Sequence, residues 1–380
     1  MICLITQYIC GSINKIIMKK LILFVTLAVV IIGFGIFFMF SANRINKIAT
    51  ISFKDMLSYT TKNNDNAIIT IGVIKDGVSN YSLYGKNGVL LPNEMHIYEI
   101  GSITKTITAS LLFKAIEEER INMEDNIDKY LDLPKKDHYP TIKQILTHTS
   151  GYKDFYFESQ MISNFLNGRN NFYGISKEQL MNRIGKIKIK NRIYGFNYSN
   201  FGISIIGAIL SKIYQEDYAK IIEIYLKEEL ELNNTIISNS LGDLENYWKW
   251  SENDAYLPAG GLTSNIEDML KYAQLQLNET PEYLSIMHSK FIEINATSRR
   301  NANMNIRMDS IGATWMIDSN NNIIWHNGGT GNYNSYIGFD TEKQIAVVIL
   351  SNLPPNYRIP ATAMGIKLLR DLQIVHFKGE

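Results

Sequence analysis

Two hydrophobic rhythms divide this chain. Ala67-Ile68-Ile69-Thr70-Ile71-Gly72-Val73-Ile74 is a short apolar run rich in β-branched residues, which predicts a buried strand. Lys75-Asp76-Gly77 supplies a turn, and Val78–Tyr84 reads as the partner strand of a hairpin. Near the other end, Asn334–Phe339 and Gln344–Leu350 predict two more strands, and residues 359–372 a closing helix. Between them the apolar spacing lengthens to a helical period over 102–119, 141–147, 176–186, 201–213, 216–230 and 264–278, after a polar, partly helical lead-in at 44–64. Strands at both chain ends with helices between predict an α+β fold in which one antiparallel sheet, flanked by helices, is assembled from both termini.

One run differs in kind. Leu21–Phe40 (LILFVTLAVVIIGFGIFFMF) carries no charge, and at 1.5 Å per residue such a run spans about 30 Å, the thickness of a bilayer core. A cleaved signal peptide is the alternative. The run exceeds the usual apolar region of about 7–15 residues, and Phe40-Ser41-Ala42 is a poor cleavage site, so an uncleaved transmembrane anchor is expected. Lys15, Lys19 and Lys20 precede it and Arg44, Lys47 and Lys54 follow, so charge does not set its orientation. The expected organisation is a tail and anchor over 1–43 and one domain over 44–380. Met18-Lys19-Lys20 looks like a natural start, which would make residues 1–17 an upstream extension. Cys3 and Cys10, the only cysteines, precede the anchor, so the exported part needs no disulfide. Gln7-Tyr8-Ile9 before Cys10 does not read as a lipoprotein signal.

Composition adds little. Hydrophobic residues at 46% and charged residues at 20% of 380 describe an ordinary globular chain, and a net charge of +1 gives no reason to expect nucleic acid. No histidine pair has zinc-ligand spacing, G-x-S-x-G is absent, and there is neither a G-x-G-x-x-G nor a P-loop. No metal and no cofactor are expected.

The chemistry centres on Ser102-Ile103-Thr104-Lys105. A helix beginning at Ser102 puts Lys105 one turn on, on the same face, within reach of the serine hydroxyl. A serine needs an adjacent base to become a nucleophile. At a helix start its backbone N–H is also free to serve as half of an oxyanion hole. The S-x-x-K spacing recurs at Ser12–Lys15 and Ser150–Lys153, but only Ser102 precedes a long helix, Thr106–Glu119, which reads as amphipathic. Tyr198-Ser199-Asn200 is the only Y-x-N, and His326-Asn327-Gly328 the only H-x-G.

This ordered set resembles the serine β-lactamase and penicillin-binding protein superfamily, whose motifs are S-x-x-K, then S-D-N or Y-x-N, then K-T-G or H-x-G. The Y-S-N and H-x-G variants look like its class C-related branch, which holds D-Ala-D-Ala carboxypeptidases, D-aminopeptidases, esterases and β-lactamases. The likeness extends to Ile145–Gly151, Pro258–Leu262 and Gly328–Ser335, and covers roughly residues 50–370. It implies a sheet lobe and an all-helical lobe with the active site between them.

The resemblance also assigns roles. Ser102 would be the nucleophile, Lys105 the base, and Tyr198 a proton relay whose phenol the Lys105 cation would acidify. Asn200 would hold the substrate amide and orient Lys105. Gly328 and Gly329 would let a substrate backbone approach, and the Gly329 N–H would be the second oxyanion donor. His326 stands where penicillin-destroying relatives carry a lysine, and would meet a substrate carboxylate only when protonated. His148 is expected to be structural. The Pro-Gly that relatives carry just before the tyrosine is missing from Asn191–Asn197, which leaves the shape of that loop open.

The expected activity is therefore an extracytoplasmic serine hydrolase working through an acyl-enzyme on D-amino-acid peptides or esters, and binding penicillin. A β-lactamase or esterase of the same fold is the first alternative. A catalytically idle sensor or scaffold for cell-wall peptides is the second. The expected partners are a small peptide, β-lactam or ester, with peptidoglycan as a candidate, and a membrane through the N-terminal helix.

Overall fold

The structure is a computed structural model that describes Ile48 and residues 50–375 apart from Asn295. The anchor expected over 21–40 lies outside the described residues. Among the described residues no helix is long and apolar enough to cross a membrane. The chain divides into two units, residues 1–51 and 52–380, and the fold below is that of the second.

The strands are β1 (Ile69–Lys75), β2 (Val78–Tyr84), β3 (Leu90–Leu91), β4 (Tyr98–Glu99), β5 (Ile236–Ile237), β6 (Leu262–Ser264), β7 (Ile292–Glu293), β8 (Ser310–Ile311), β9 (Met316–Asp318), β10 (Ile323–Gly329), β11 (Asn334–Asp340) and β12 (Ile345–Ser351). The helices are α1 (Phe53–Thr61), α2 (Thr104–Glu117), α3 (Ile142–Leu146), α4 (Gln160–Leu166), α5 (Lys177–Lys186), α6 (Asn200–Tyr214), α7 (Tyr218–Ile224), α8 (Leu257–Gly260), α9 (Ile266–Asn278), α10 (Tyr283–His288), α11 (Arg299–Asn303) and α12 (Ala361–Val375).

Nine strands form one sheet in the order β3-β2-β1-β12-β11-β10-β9-β8-β7, and β4-β6-β5 form a small second one. The expected joining of the two chain ends occurs at β1 and β12, antiparallel with Ile71 opposite Ile349. The β1–β2 hairpin closes through Asp76 and Gly77 at φ of 55° and 74°. Both residues are left-handed, as a tight two-residue hairpin turn requires. Strands β11 and β12 are buried along their whole length because helices α9 and α12 each pack on both of them. That explains why they read as continuous apolar runs rather than as alternation.

Helix α2, which carries the S-x-x-K residues, differs from the expected amphipathic element. Thr104 through Phe113 are all buried. Its hydroxyls are not a solvent face. Thr106 donates to the Ile103 carbonyl at 2.8 Å, Thr108 to Thr104 at 3.1 Å and Ser110 to Ile107 at 2.8 Å. Short polar side chains satisfied by the preceding turn let a helix pass through a core. Six α-helices of the described residues, α2 to α7, lie between β4 and β5 in the chain, and α2 packs against α6, α8 and α10.

Candidate active site

Ser102 sits in a short 3-10 turn, Gly101–Ile103, that runs directly into α2. Gly101 has φ of 50°, and a Cβ there would lie 2.7 Å from the Gly329 nitrogen. Only glycine accepts both conditions. The nucleophile turn is thereby pressed against the end of β10. On the other side of the joint, a Cβ at Gly328 would run into the Ile100 carbonyl. Ser335 donates to that same carbonyl at 2.8 Å. Gly328 is buried. What approaches it is the protein's own Ile100 carbonyl and Ser335 hydroxyl, and it is Gly329, not Gly328, that lines the cleft.

Lys105 is wholly buried, and its Nζ lies 2.9 Å from Ser102 Oγ and 2.5 Å from the Ala259 carbonyl. Burial lowers its pKa to about 7, against the pull of the Asp154 carboxylate in the other direction. A substantial fraction is thus a neutral amine at neutral pH, able to accept the serine proton. Tyr198 is half-buried, with its ring centroid 5.0 Å from Lys105 Nζ. The phenol was expected to be acidified. Instead burial pushes it up, the nearby Asp154 charge adds to this, and a hydrogen bond with Ser102 only partly opposes it. Tyr198 is therefore a neutral hydroxyl against the nucleophile.

Asn200 opens α6 beside these groups, but its amide is turned to Asp154. Its Nδ2 donates to Asp154 Oδ1 at 2.7 Å and its backbone N–H to the same oxygen at 3.1 Å. Among the described residues no hydrogen bond joins Asn200 to Lys105. The expected orienting role passes to the Ala259 carbonyl. Ser199 caps α6 by accepting from the Gly202 N–H at 2.9 Å, which fixes the direction in which Tyr198 leaves the chain.

His326 departs furthest from expectation. Its ring is fully buried, and its pKa falls to about 3 through burial first and the Lys105 charge second. Its Nδ1–H donates to the Asn327 carbonyl at 2.7 Å, leaving Nε2 as an acceptor without a partner. The ring lies 6.2 Å from that of Tyr198. A neutral, enclosed imidazole cannot pair with a substrate carboxylate. His148 lies on another side of Tyr198, ring centroids 4.7 Å apart. It takes φ of 55° and accepts from the Ser199 N–H at 3.2 Å. Burial, Lys105 and His326 together hold it well below the usual histidine range. The loop lacking Pro-Gly is laid over this turn: Tyr194 N–H donates to the Thr149 carbonyl at 3.0 Å and Asn197 N–H to His148 at 2.8 Å.

The cleft holds about 410 Å³ and is bordered by Ser102, Tyr198, Asn327 and Gly329, with an apolar wall of Met304, Ile306, Met308 and Met316. The single charged residue on its lining is Arg300 of α11, exposed and without an ion pair among the described residues. Neither Asp154 nor Arg300 belongs to a motif, and sequence reasoning missed both. Glu99, three residues before Ser102, accepts from Thr330 Oγ1 and the Trp248 N–H, each at 2.5 Å, tying the turn after Gly329 to the nucleophile segment. Burial raises its pKa to about 7, although the bonds from Thr330, Trp248 and Ser238 oppose this. Among the described residues no group of three or more His, Cys, Asp and Glu could hold a metal ion.

A serine, a buried amine and a neutral phenol within contact of one another beside glycine backbone are the components of an acyl-transfer site. A family model described as Beta-lactamase matches residues 65–366. The chain belongs to the β-lactamase family. Among curated proteins it is similar to Protein flp of Staphylococcus aureus strain N315, 23% identical over 280 residues, a stretch covering 68% of this chain. The chain spans about half the length of that relative, 53%. Among solved structures it resembles the octameric penicillin-binding protein homologue from Pyrococcus abyssi, with a TM-score of 0.66 at 21% identity over 84% of this chain and 75% of the other. It also resembles the β-lactamase/D-alanine carboxypeptidase from Yersinia pestis, with a TM-score of 0.66 at 17% identity over 84% and 96%. At these identities the structural likeness is one of fold. The α+β architecture of the family, an antiparallel sheet with helices, is the architecture seen here.

Proposed function

We propose that this β-lactamase-family protein is a serine hydrolase acting through an acyl-enzyme on D-amino-acid peptides or related compounds that carry a carboxylate. The observation that carries the reading is the buried Lys105 amine, 2.9 Å from Ser102 Oγ and with its pKa near 7. In the first step Ser102 Oγ bonds to the substrate carbonyl carbon while its proton passes to Lys105 Nζ. The backbone N–H groups of Ser102 and Gly329 are the candidate donors to the oxyanion. Tyr198, neutral and beside the serine, relays the proton to the departing nitrogen as the carbonyl re-forms. Water then attacks the ester, with the same groups taking and returning the proton.

Arg300 narrows the substrate class. An exposed guanidinium on a mostly apolar cleft suits a carboxylate, which it can bind bidentately. The D-alanine carboxypeptidase named among the structural neighbours fits such a substrate. The apolar wall of methionines and isoleucine supports a neutral short-chain ester as the second reading. An extracytoplasmic position is part of the proposal and rests on the Leu21–Phe40 run.

The test is a fluorescent penicillin followed by intact mass, beside a panel of a D-Ala-D-Ala peptide, a D-amino-acid amide, a chromogenic cephalosporin and a nitrophenyl ester. A transient adduct with turnover of the peptide is the expected result. A lasting adduct without turnover would identify a penicillin-binding sensor, and no adduct with any probe a scaffold.

A further inference from the structure

Away from the cleft, and sharing no lining residue with it, lies a pocket of about 180 Å³ bordered by Arg169, Asn170, Tyr173, Tyr247, Trp248 and Lys249. Its charges have one sign. Arg169 and Lys249 are both exposed, neither has an ion pair among the described residues, and no carboxylate lines the site. Asn170 is 1% exposed; its Oδ1 accepts from the Phe172 N–H at 3.0 Å, while its Nδ2 is buried with no partner. A buried amide left without an acceptor is costly, and a ligand oxygen would satisfy it. The remaining wall is Gly168 and three aromatic rings, with the Arg169 guanidinium carbon 5.8 Å from the centroid of Tyr173.

That wall is held in place without a ligand. Tyr247 donates from its hydroxyl to the Ile97 carbonyl at 2.7 Å and stacks on Tyr333 at 5.0 Å. Trp248 is fixed through its backbone N–H to Glu99. Across the pocket, Asn164 Nδ2 donates to the Asn171 and Tyr173 carbonyls at 3.2 and 2.8 Å, pinning the loop that carries Arg169 and Asn170. A preformed concavity with few, converging polar groups is the usual form of a small-molecule site.

We propose that this pocket binds an acidic sugar, a single pyranose carrying a carboxylate or a phosphate. The ring would lie against the tyrosine and tryptophan faces. The anion would take charge-assisted bonds from Arg169 and Lys249, and a ring substituent oxygen would accept from Asn170 Nδ2. Two cations with no acidic partner select against neutral and basic sugars. The volume admits one ring, not a chain.

The experiment is calorimetric titration of the full chain with N-acetylmuramic acid and with glucose 6-phosphate, using N-acetylglucosamine as the neutral control. The same titrations are run on the Arg169→Gln/Lys249→Gln double variant and on Arg300→Gln. Both Arg169 and Lys249 are exposed, so the double variant should fold. Saturable binding of at least one acidic sugar is expected, weakened about tenfold or more in the double variant and in the neutral control, and unchanged in Arg300→Gln. Binding of the muramic acid alone assigns a carboxylated sugar, and of glucose 6-phosphate alone a phosphorylated one. No binding of either at millimolar concentration overturns the proposal. So does equal affinity in the double variant, or a loss caused by Arg300→Gln instead, which would place the anion in the catalytic cleft.

Discussion

The side chain of Lys105 ends on the backbone carbonyl of Ala259, 2.5 Å from its nitrogen, with Ser102 Oγ on its other side at 2.9 Å. What replaces the water an ammonium ion loses on burial is two neutral oxygens, the face of the Tyr198 ring and the more distant field of Asp154. Desolvation therefore wins, and the pKa falls to about 7. The amine must be neutral to act as a base. Acylation by a penicillin or an active peptide should thus rise with pH, about tenfold per unit below 7, and level off above it. A flat rate from pH 5.5 to 8.5 would exclude Lys105 as the base. Lys105→Ala should slow acylation by about 10²–10⁴-fold, and Lys105→Arg should do no better, because a guanidinium does not release its proton in this range.

Asp154 supplies a second test of the same electrostatics. Its carboxylate favours the charged form of Lys105. Removing the charge in Asp154→Asn should lower the lysine pKa further, so the acid limb of the acylation profile should move to lower pH. It should also loosen Asn200, whose amide Asp154 now holds, and raise KM for amide substrates. A limb that moves to higher pH would contradict the assignment.

Enclosure and the Lys105 charge both disfavour a proton on His326. The histidine pKa of about 3 reflects enclosure first and Lys105 second. The ring should stay neutral from pH 5 upward, and NMR titration should show no histidine shift at this position. His326→Lys would bury a second ammonium beside the first. It should lower the melting temperature markedly, since an unpaired buried charge costs several kcal/mol, and it should not improve acylation by penicillins.

Much of the fold was legible because its elements are long and strongly patterned. Val78–Tyr84, the helix at Lys177–Lys186 and the runs that became β11 and β12 lie within a residue or two of where periodicity puts them. The two-residue strands β3, β4, β5, β7 and β8 were not legible, since their position depends on neighbours rather than on a period of their own. The motifs located the serine, lysine and tyrosine, but not the protonation states, which come from burial. Nor do motifs mark Asp154 in a loop or Arg300 in a five-residue helix. The environment of His326 did have a signal. Along β10, Trp325, Asn327 and Gly329 line the cleft while His326 and Gly328 point the other way. Strand alternation from Gly329 would have placed the histidine inside.

Gly328 tests the joint between β10 and the nucleophile turn. Its missing side chain makes room for the Ile100 carbonyl and the Ser335 hydroxyl. Gly328→Ala forces these backbones apart and should cost about 1–3 kcal/mol of stability, with acylation lost beyond that expected from unfolding because Gly329 moves with its neighbour. Denaturation midpoints and labelling rates measured on the same preparation check both parts. A variant of wild-type stability and rate would show that the joint is slack.

Arg300 decides which end of the substrate the cleft reads. Among the described residues it is the one charged group on a lining otherwise made of apolar side chains, amides, hydroxyls and backbone. A carboxylate-bearing peptide or penicillin gains a charge-assisted contact there that a neutral ester cannot make. Hydrogen bonds to charged groups contribute about 1.5–3 kcal/mol, and solvent screening at an exposed rim pulls the contribution to the lower end of that range or below. Arg300→Gln should therefore lower kcat/KM for the carboxylate substrates by about tenfold while leaving a nitrophenyl ester within about twofold. The discrimination should hold from pH 5.5 to 8.5, unlike the base-dependent acylation rate. Added salt should erode it, because the contact is open to water. Equal losses for both substrate types would mean that Arg300 shapes the cleft without reading charge, and would move the balance toward the esterase reading.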